Sequence, residues 1–447
     1  MSDEPSPSSG LKAAPAQTLR VRDAMAITVG IVVGAGIFRT PSLVAGAASS
    51  EAMVLAAWAA GGVISLIGAL CYAELASAYP NAGGDYHFLN RAFGRRLAFL
   101  YAWARLSVIQ TGSLALLAFV FGDYVSQILS LGPHSSAIYA ALVVVVVTGV
   151  NWIGVHAGTR AQNWLTVVEV LGLGAVIIAG LFLAPAAPVG PAPSDSTAIG
   201  LILVFVLLTY GGWNEAVYVS AELKDAPRRM APVLVASLLL IAVLYILANA
   251  AYLRALGMAG VAASDAVAAD VARLAFGAGG AVFISLLIAF SALTSANATA
   301  FTGARTAYAL GRDNPAFGYL GRWNEKAGTP GNALLVQGAG ALALVFIGAF
   351  ALDGFRSVVD YTAPVFWAFF LMVGLSLFVL RRKDPDTPRP FRVPLYPILP
   401  AIFCVTNAYL LYSSLAYTGK NAWVGVAVVA VGALLLLPFK TRKEERN

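Results

Sequence analysis

Two glycine-interrupted apolar stretches carry the chemistry of this sequence. Ala24 to Val44 reads AMAITVGIVVGAGIFRTPSLV, with Gly30, Gly34 and Gly36 crowded in its middle and Pro41 beyond them. Each interior glycine costs a helix about 1 kcal/mol relative to alanine, so the spacing predicts a helix that stops and restarts at Gly34-Ala35-Gly36. The N–H and C=O groups released by such a break find no water in hydrocarbon. Irregular backbone persists at that depth only where it lines a cavity or meets a ligand. Phe205 to Ser220, FVLLTYGGWNEAVYVS, repeats the pattern around Gly211-Gly212. Paired interrupted spans in the two halves of a membrane chain mark a transporter's binding site.

Three further features bear on chemistry. Glu169 stands in the apolar run RAQNWLTVVEVLGLGAVI, and Arg39 follows the first break on the outer half of its span, where a charge needs water or a partner. The histidines His87, His134 and His156 show no ligand spacing, and Cys71 and Cys404 lie far apart inside apolar runs. No Ser-His-Asp, HExxH or P-loop pattern occurs, which argues against hydrolytic or ATP-driven chemistry. The chain is read as a non-enzyme without a cofactor.

The elements that must position these residues are membrane spans. Hydrophobic residues make up 59% of the 447 positions, charged residues 11%, and the mean hydropathy is +0.78. Soluble domains carry about a quarter charged residues, so this is an all-α polytopic membrane protein. The net charge of +7 is scattered over alternate short loops, which serves topology and gives no nucleic-acid patch. Loops bearing Arg91, Arg95 and Arg96, then Lys224, Arg228 and Arg229, then Arg381, Arg382 and Lys383 are cytoplasmic by the positive-inside rule.

Residues 1–22 form a polar, disordered cytoplasmic tail without the apolar core of a signal peptide. Spans are expected near 24–47, 52–78, 97–130, 137–155 and 162–184, making a first five-helix unit over 23–184. A proline-rich outer loop, 185–196, precedes a second unit over 197–381, with spans near 198–222, 231–257, 278–306, 332–352 and 357–381. Two more spans, 397–416 and 422–439, lie within 397–439, and 440–447 is a second tail. Twelve spans return both termini to the cytoplasmic side.

The runs GAGIF (Gly34 to Phe38), YGGWN (Tyr210 to Asn214), YPNAGGDYHFL (Tyr79 to Leu89) and the stretch Pro364 to Pro397 resemble the amino acid–polyamine–organocation superfamily, especially its L-type bacterial amino-acid permeases. The resemblance covers nearly the whole chain. It implies a 5+5 inverted repeat (LeuT-like) plus two extra helices, with helices 1 and 6 broken, working by alternating access. It further implies that Ala35, Gly36 and Ile37, with Gly34, hold a substrate carboxylate. Val32, Val33, Leu208 and Gly211 would hold the amino group and side chain. Half-helix N-termini are partly positive and C-termini partly negative, so a zwitterion is held without a charged side chain. By family position Ile109, Gln110 and Ser113 line the pocket, while Tyr210, Trp213 and Asn214 bridge the broken helices by hydrogen bonds, unless the two aromatics are lipid-facing filler. Glu74 and Glu222 resemble inner-gate positions paired with arginines such as Arg228, and Glu215 either meets a basic substrate or is structural.

Two departures from the family pattern stand out. Leu208 replaces a bulky aromatic that closes over substrate in many relatives, and Glu169 replaces a lysine that many sodium-independent exchangers carry. In sodium-coupled proteins of this fold, adjacent hydroxyls in the eighth span complete a cation site with first-span carbonyls. Thr294-Ser295, with Ser291 nearby and Gly30 and Val33 as carbonyl donors, match that pattern. A carboxylate beside hydroxyls binds a hard cation, and a desolvated carboxylate can equally take up a proton, so Na⁺ or H⁺ is the expected coupling ion. The implied function is secondary transport of L-α-amino acids, neutral ones favoured, in the bacterial cytoplasmic membrane, by a monomer or homo-oligomer. The alternatives are an amino-acid exchanger, a cationic amino-acid or polyamine antiporter, and an amino-acid-sensing membrane receptor.

Overall fold

The computed structural model describes residues 20–34, 36–81, 83–154, 159–188, 198–217, 223–351, 353–417 and 420–435. Its helices, in chain order, are α1 (Val21–Val32), α2 (Gly36–Ala47), α3 (Glu51–Ala78), α4 (Gly84–Phe93), α5 (Arg95–Ala104), α6 (Gln110–Ser126), α7 (Ser135–Ile153) and α8 (Thr159–Ile178). Then follow α9 (Ile199–Thr209), α10 (Ala226–Ala263), α11 (Val267–Asp313), α12 (Gly331–Ala349), α13 (Gly354–Lys383), α14 (Ile398–Tyr417) and α15 (Lys420–Leu435). A π-helical turn, Arg105–Ile109, joins α5 to α6, and a 3-10 turn, Trp213–Val217, follows α9. Among the described residues the only strand-like pairing is the isolated bridge Asn324–Thr329.

Among the described residues ten helices are long and apolar enough to cross a bilayer, and α1 with α2, bent by 43° at their break, makes an eleventh. The stretch expected as the twelfth span forms a shorter apolar helix, Ala422–Leu435, so the observed count is ten or eleven. The expected spans 231–257 and 278–306 stop and start at glycines where α10 and α11 kink, Gly257 (φ 67°) and Gly277 (φ 72°). The outer surface is apolar, with Phe182 and Val405 at least 70% exposed, as suits a chain whose solvent is lipid.

Lipid supplies little hydrophobic drive between helices, so packing relies on close approach through small residues. At Gly61 of α3 a Cβ would come 2.4 Å from Val206 Cγ1, and at Gly62 it would come 2.9 Å from Ala242 Cβ. These glycines let α9 and α10 lie backbone-close to α3. Arg254 caps the end of α8's extension, donating through Nη1 to the carbonyls of Gly180 (2.8 Å) and Ala184 (2.9 Å).

Both ends of the helix assembly carry ionic ties. At the α4 end, Glu74 is fully buried and accepts from Arg381 Nε (2.7 Å), Arg381 Nη2 (2.6 Å) and the Val393 amide (2.7 Å), with Arg389 Nε 3.5 Å away. This corrects the expected pairing with Arg228, which is exposed near the start of α10. The chain after α13 folds back beneath α3 and brings Arg389 and Val393 to Glu74, and so supplies the partners at shorter range. Glu222 lies outside the described residues.

At the opposite end Arg39, 6% exposed, meets three carboxylates from three elements. Its Nη2 donates to Asp353 (2.7 Å) and Asp265 (3.1 Å), and its Nε lies 3.3 Å from Asp123 Oδ2. Nη1 donates to Ser42 Oγ at 2.6 Å. The charge expected to need water or a partner has several. Removing it leaves Asp123 and Asp353 partly buried and facing each other, a loss of about 3–5 kcal/mol. Arg39→Ala is therefore expected to lower the melting temperature of the detergent-purified protein well below that of an exposed control, Arg229→Ala; equal midpoints would contradict the tie.

Candidate functional site

The site is built where two helices stop. Glycine spacing ends α1 at Val32 and restarts the span at Gly36, and Gly211-Gly212 ends α9 before the turn at Trp213. The two breaks face each other. A Cβ at Gly36 would lie 3.0 Å from Thr209 Cγ2, and one at Gly212, whose φ is +102°, would lie 2.9 Å from Ile31 Cγ2. Gly212 thus needs both the left-handed backbone region that glycine alone adopts freely and the empty space. Released carbonyls are bridged by Tyr245 of α10, whose hydroxyl donates to Val32 O at 2.6 Å and lies 3.4 Å from Thr209 O.

A cavity of about 850 Å³ opens between the breaks. Gly30, Val32, Gly34 and Gly36 line it from the first break, and Leu208, Gly211 and Asn214 from the second. Ile109, Gln110 and Ser113 line it from the α6 side and Ser295 from α11. At one end it reaches Thr40 and Val120, just beneath the Arg39 cluster; at the other it runs past Arg105 and Arg305 to Gly83, Tyr86 and Leu310.

Other expected residues sit elsewhere. Val33 and Ile37 are fully buried in the core and do not line the cavity. Tyr210 is fully buried and donates to Trp58 O at 3.0 Å, so it ties α9 to α3 and not one break to the other. Trp213 packs edge-on against Tyr72 in the interior, which excludes a lipid-facing role. Ala35 lies outside the described residues.

The ion-coupling candidates divide. Glu169 of α8 and Ser291 of α11, each 2% exposed, meet through Ser291 Oγ donating to Glu169 Oε1 at 2.7 Å, and Glu169 Oε2 has no hydrogen-bond partner among the described residues. Thr294 back-bonds to Ser291 O at 2.8 Å, as a hydroxyl in a membrane helix commonly does. Ser295 lies on the cavity wall, 3.7 Å from where a Gly34 Cβ would be. Of the three hydroxyl residues, Ser291 is the one that hydrogen-bonds Glu169 among the described residues. Gly30 faces α8, where Thr166 Oγ1 fills the notch that a Cβ would occupy.

Several polar residues of the site were missed by the sequence reading. Arg105 and Tyr245 were not singled out, although a cation or a hydroxyl inside an apolar span must find a partner. Arg105 Nη2 donates to both oxygens of Glu215, at 3.0 and 2.8 Å, and its Nη1 to Tyr101 Oη at 3.2 Å. Tyr101 in turn donates to Asp85 Oδ2 at 3.0 Å. Asp85, on the connecting helix α4, is 2% exposed, and burial pushes its carboxyl up to about 6 against the pull of Arg105.

This arrangement defines a class: a multi-pass membrane protein with two broken spans enclosing a largely apolar cavity set with a few polar groups, able to bind and pass a small solute without covalent chemistry. The family profile described as Amino acid permease matches residues 19–436. The b(0,+)-type amino acid transporter 1 of Rattus norvegicus is 32% identical over 409 residues, covering 89% of this chain and 82% of that protein. Large neutral amino acids transporter small subunit 2 of Mus musculus is 31% identical over 425 residues, 92% of this chain and 78% of that protein. The chain belongs to the amino acid permease family of the amino acid–polyamine–organocation superfamily. It is an amino acid transporter and not an enzyme.

Two outcomes follow from the geometry. Gly36→Val places methyl groups onto Thr209 and closes the space between the breaks. Labelled amino-acid uptake is expected to be lost while the purified protein still elutes as a folded peak, and retained uptake would separate the break from the site. For Asp85, the folded protein holds the proton more tightly than the unfolded chain between 3.8 and about 6, so stability falls as pH rises across that window and is level above it. Melting temperature followed over the same window should slope downward in the unmodified protein, and less so in Asp85→Asn.

Proposed function

We propose that this chain is a secondary transporter that moves L-α-amino acids by alternating access, binding the zwitterion between the two breaks. The observation that carries this reading is the face-to-face placement of the breaks across the cavity. An N-terminal half-helix end at Gly36 supplies N–H groups for the carboxylate, and the end of α9 supplies carbonyls for the ammonium group. The 5+5 inverted repeat with two further helices is part of the proposal. Supporting it are the contacts of α3 with α10 and of α6 with α11, which pair elements at matching positions in the two units. Cytoplasmic termini follow from the basic loops. The cavity then opens inward, past α4, while the Arg39 cluster closes the outer side.

Neutral substrates are favoured. Glu215, the carboxylate nearest the second break, is engaged at both oxygens by Arg105, which removes the counter-charge that a cationic amino acid or polyamine would need. The mouse relative is named for large neutral amino acids, in accord with this.

The proposed coupling group is Glu169. Its free Oε2 in an apolar setting suits a proton. A sodium ion needs several converging oxygens, and of Ser291, Thr294 and Ser295 it is Ser291 that hydrogen-bonds Glu169 among the described residues. The test is uptake of labelled L-amino acids into proteoliposomes with empty lumens, under inward proton and sodium gradients applied separately. Accumulation is expected to follow the proton gradient, and Glu169→Gln to abolish accumulation while exchange across the membrane continues. Uptake only into preloaded vesicles would make the protein an exchanger and sink the role given to Glu169. Binding without any flux would support the receptor alternative.

A further inference from the structure

Among the described residues lining the cavity only three are charged: Arg105, Glu215 and Arg305. Arg105 and Glu215 neutralise each other, so the wall keeps one positive charge, on α11. Arg305 has no ion pair among the described residues. Its guanidinium lies over the Phe301 ring, 3.3 Å from the centroid, and Nη1 donates to Phe301 O at 3.2 Å. A backbone carbonyl and a ring face satisfy one edge of the fork and leave donors free.

Asn297, two turns earlier on the same face, is oriented as a donor as well. Its Oδ1 accepts from Asn151 Nδ2 at 2.6 Å, which leaves its own Nδ2 for the cavity. Asn297, Phe301 and Arg305 recur every fourth residue, so they form one stripe on the wall. The stripe offers donors and no acceptor. Ser295, beside the first break, is separated from Arg305 by about 15 Å of helix. The folded-back side chain shortens this, yet a single amino acid at the breaks still does not span to the guanidinium.

We infer that Arg305, with Asn297 above it, forms a second station for a carboxylate on the inner side of the breaks, which an amino acid meets on its way between the substrate site and the α4 end. An arginine fork matches a carboxylate geometrically and electrostatically, and a partly desolvated cation on the path favours an anion over any other passing group. The inference rests on the transport reading above. It adds that the two faces of the protein recognise substrate differently.

The experiment compares half-saturation for labelled alanine and glutamate in intact cells, which read the outer face, and in inverted membrane vesicles, which read the inner face. Both are preloaded so that no gradient is required. Arg305→Gln is expected to raise the inner value about tenfold, the worth of one hydrogen bond to a charged group, and to move the outer value much less. Arg305→Lys, which keeps the charge, should recover most of the loss. A loss shared by alanine and glutamate assigns the station to the α-carboxylate; one confined to glutamate assigns it to the side-chain carboxylate. No shift, an equal shift on both faces, or a lysine variant no better than glutamine would overturn the inference alone. Absence of uptake by the unmodified chain would overturn the transport reading and this inference with it.

Discussion

Hydrocarbon does not hydrogen-bond, and this constraint governs the whole molecule. Breaking a membrane helix frees N–H and C=O groups that cost several kcal/mol each if left unpaired. The chain breaks two helices and sets the breaks against each other, so each supplies a polar surface for the same cavity. Part of the demand is met internally. The Tyr245 hydroxyl satisfies Val32 O at 2.6 Å, which stabilises the first break whether or not substrate is present. In the proposed reading, groups at Gly34, Gly36 and Gly211, which line the cavity, are left for the substrate.

The same reasoning explains how charges are placed. Three buried charges are answered from other parts of the chain: Arg39 by Asp123, Asp265 and Asp353, Glu74 by Arg381 and Arg389, Arg105 by Glu215. Two of these ties sit at opposite ends of the cavity axis, with the Arg105–Glu215 pair between them. They join helices that a transport cycle must move relative to one another. Ionic ties suit that task because they can be exchanged for water on opening, whereas interdigitated apolar packing reforms only in one register.

Much of this was legible in the sequence, for a physical reason. Composition and apolar run length report the membrane, and glycine clusters report backbone that departs from a helix, since both signals are local. Gly34, Gly36 and Gly211 line the cavity, and so does Gly30, which was expected as a carbonyl donor to the ion. Partner choice was not legible. Glu74 finds Arg381 and Arg389 because the segment after α13 folds back beneath α3, and no local pattern announces that. Val33 and Ile37 face the core because the bend between α1 and α2, 43°, rotates alternate positions away from the cavity. Tyr210 and Tyr245 illustrate the limit: both are aromatic hydroxyls in apolar spans, and only tertiary placement makes one a tie to α3 and the other the bridge between breaks.

The separation of roles along the cavity is the deeper consequence. In the proposed reading, recognition of the common amino-acid group falls to main-chain dipoles at the two breaks. Side chains are thereby free to carry everything that differs between relatives. Leu208 contributes bulk beside the second break, Arg105 masks Glu215, and Arg305 colours the inner path with positive charge. Glu169 does not line this path and lies buried against Ser291, so in the proposed coupling a proton there alters the charge between α8 and α11 without touching substrate. Coupling in such an arrangement acts through the helices on either side of the first break, because α8 meets α1 at the Gly30–Thr166 notch. On the proposed reading, a change in the charge of Glu169 would thus be felt at the segment whose bend forms the first break.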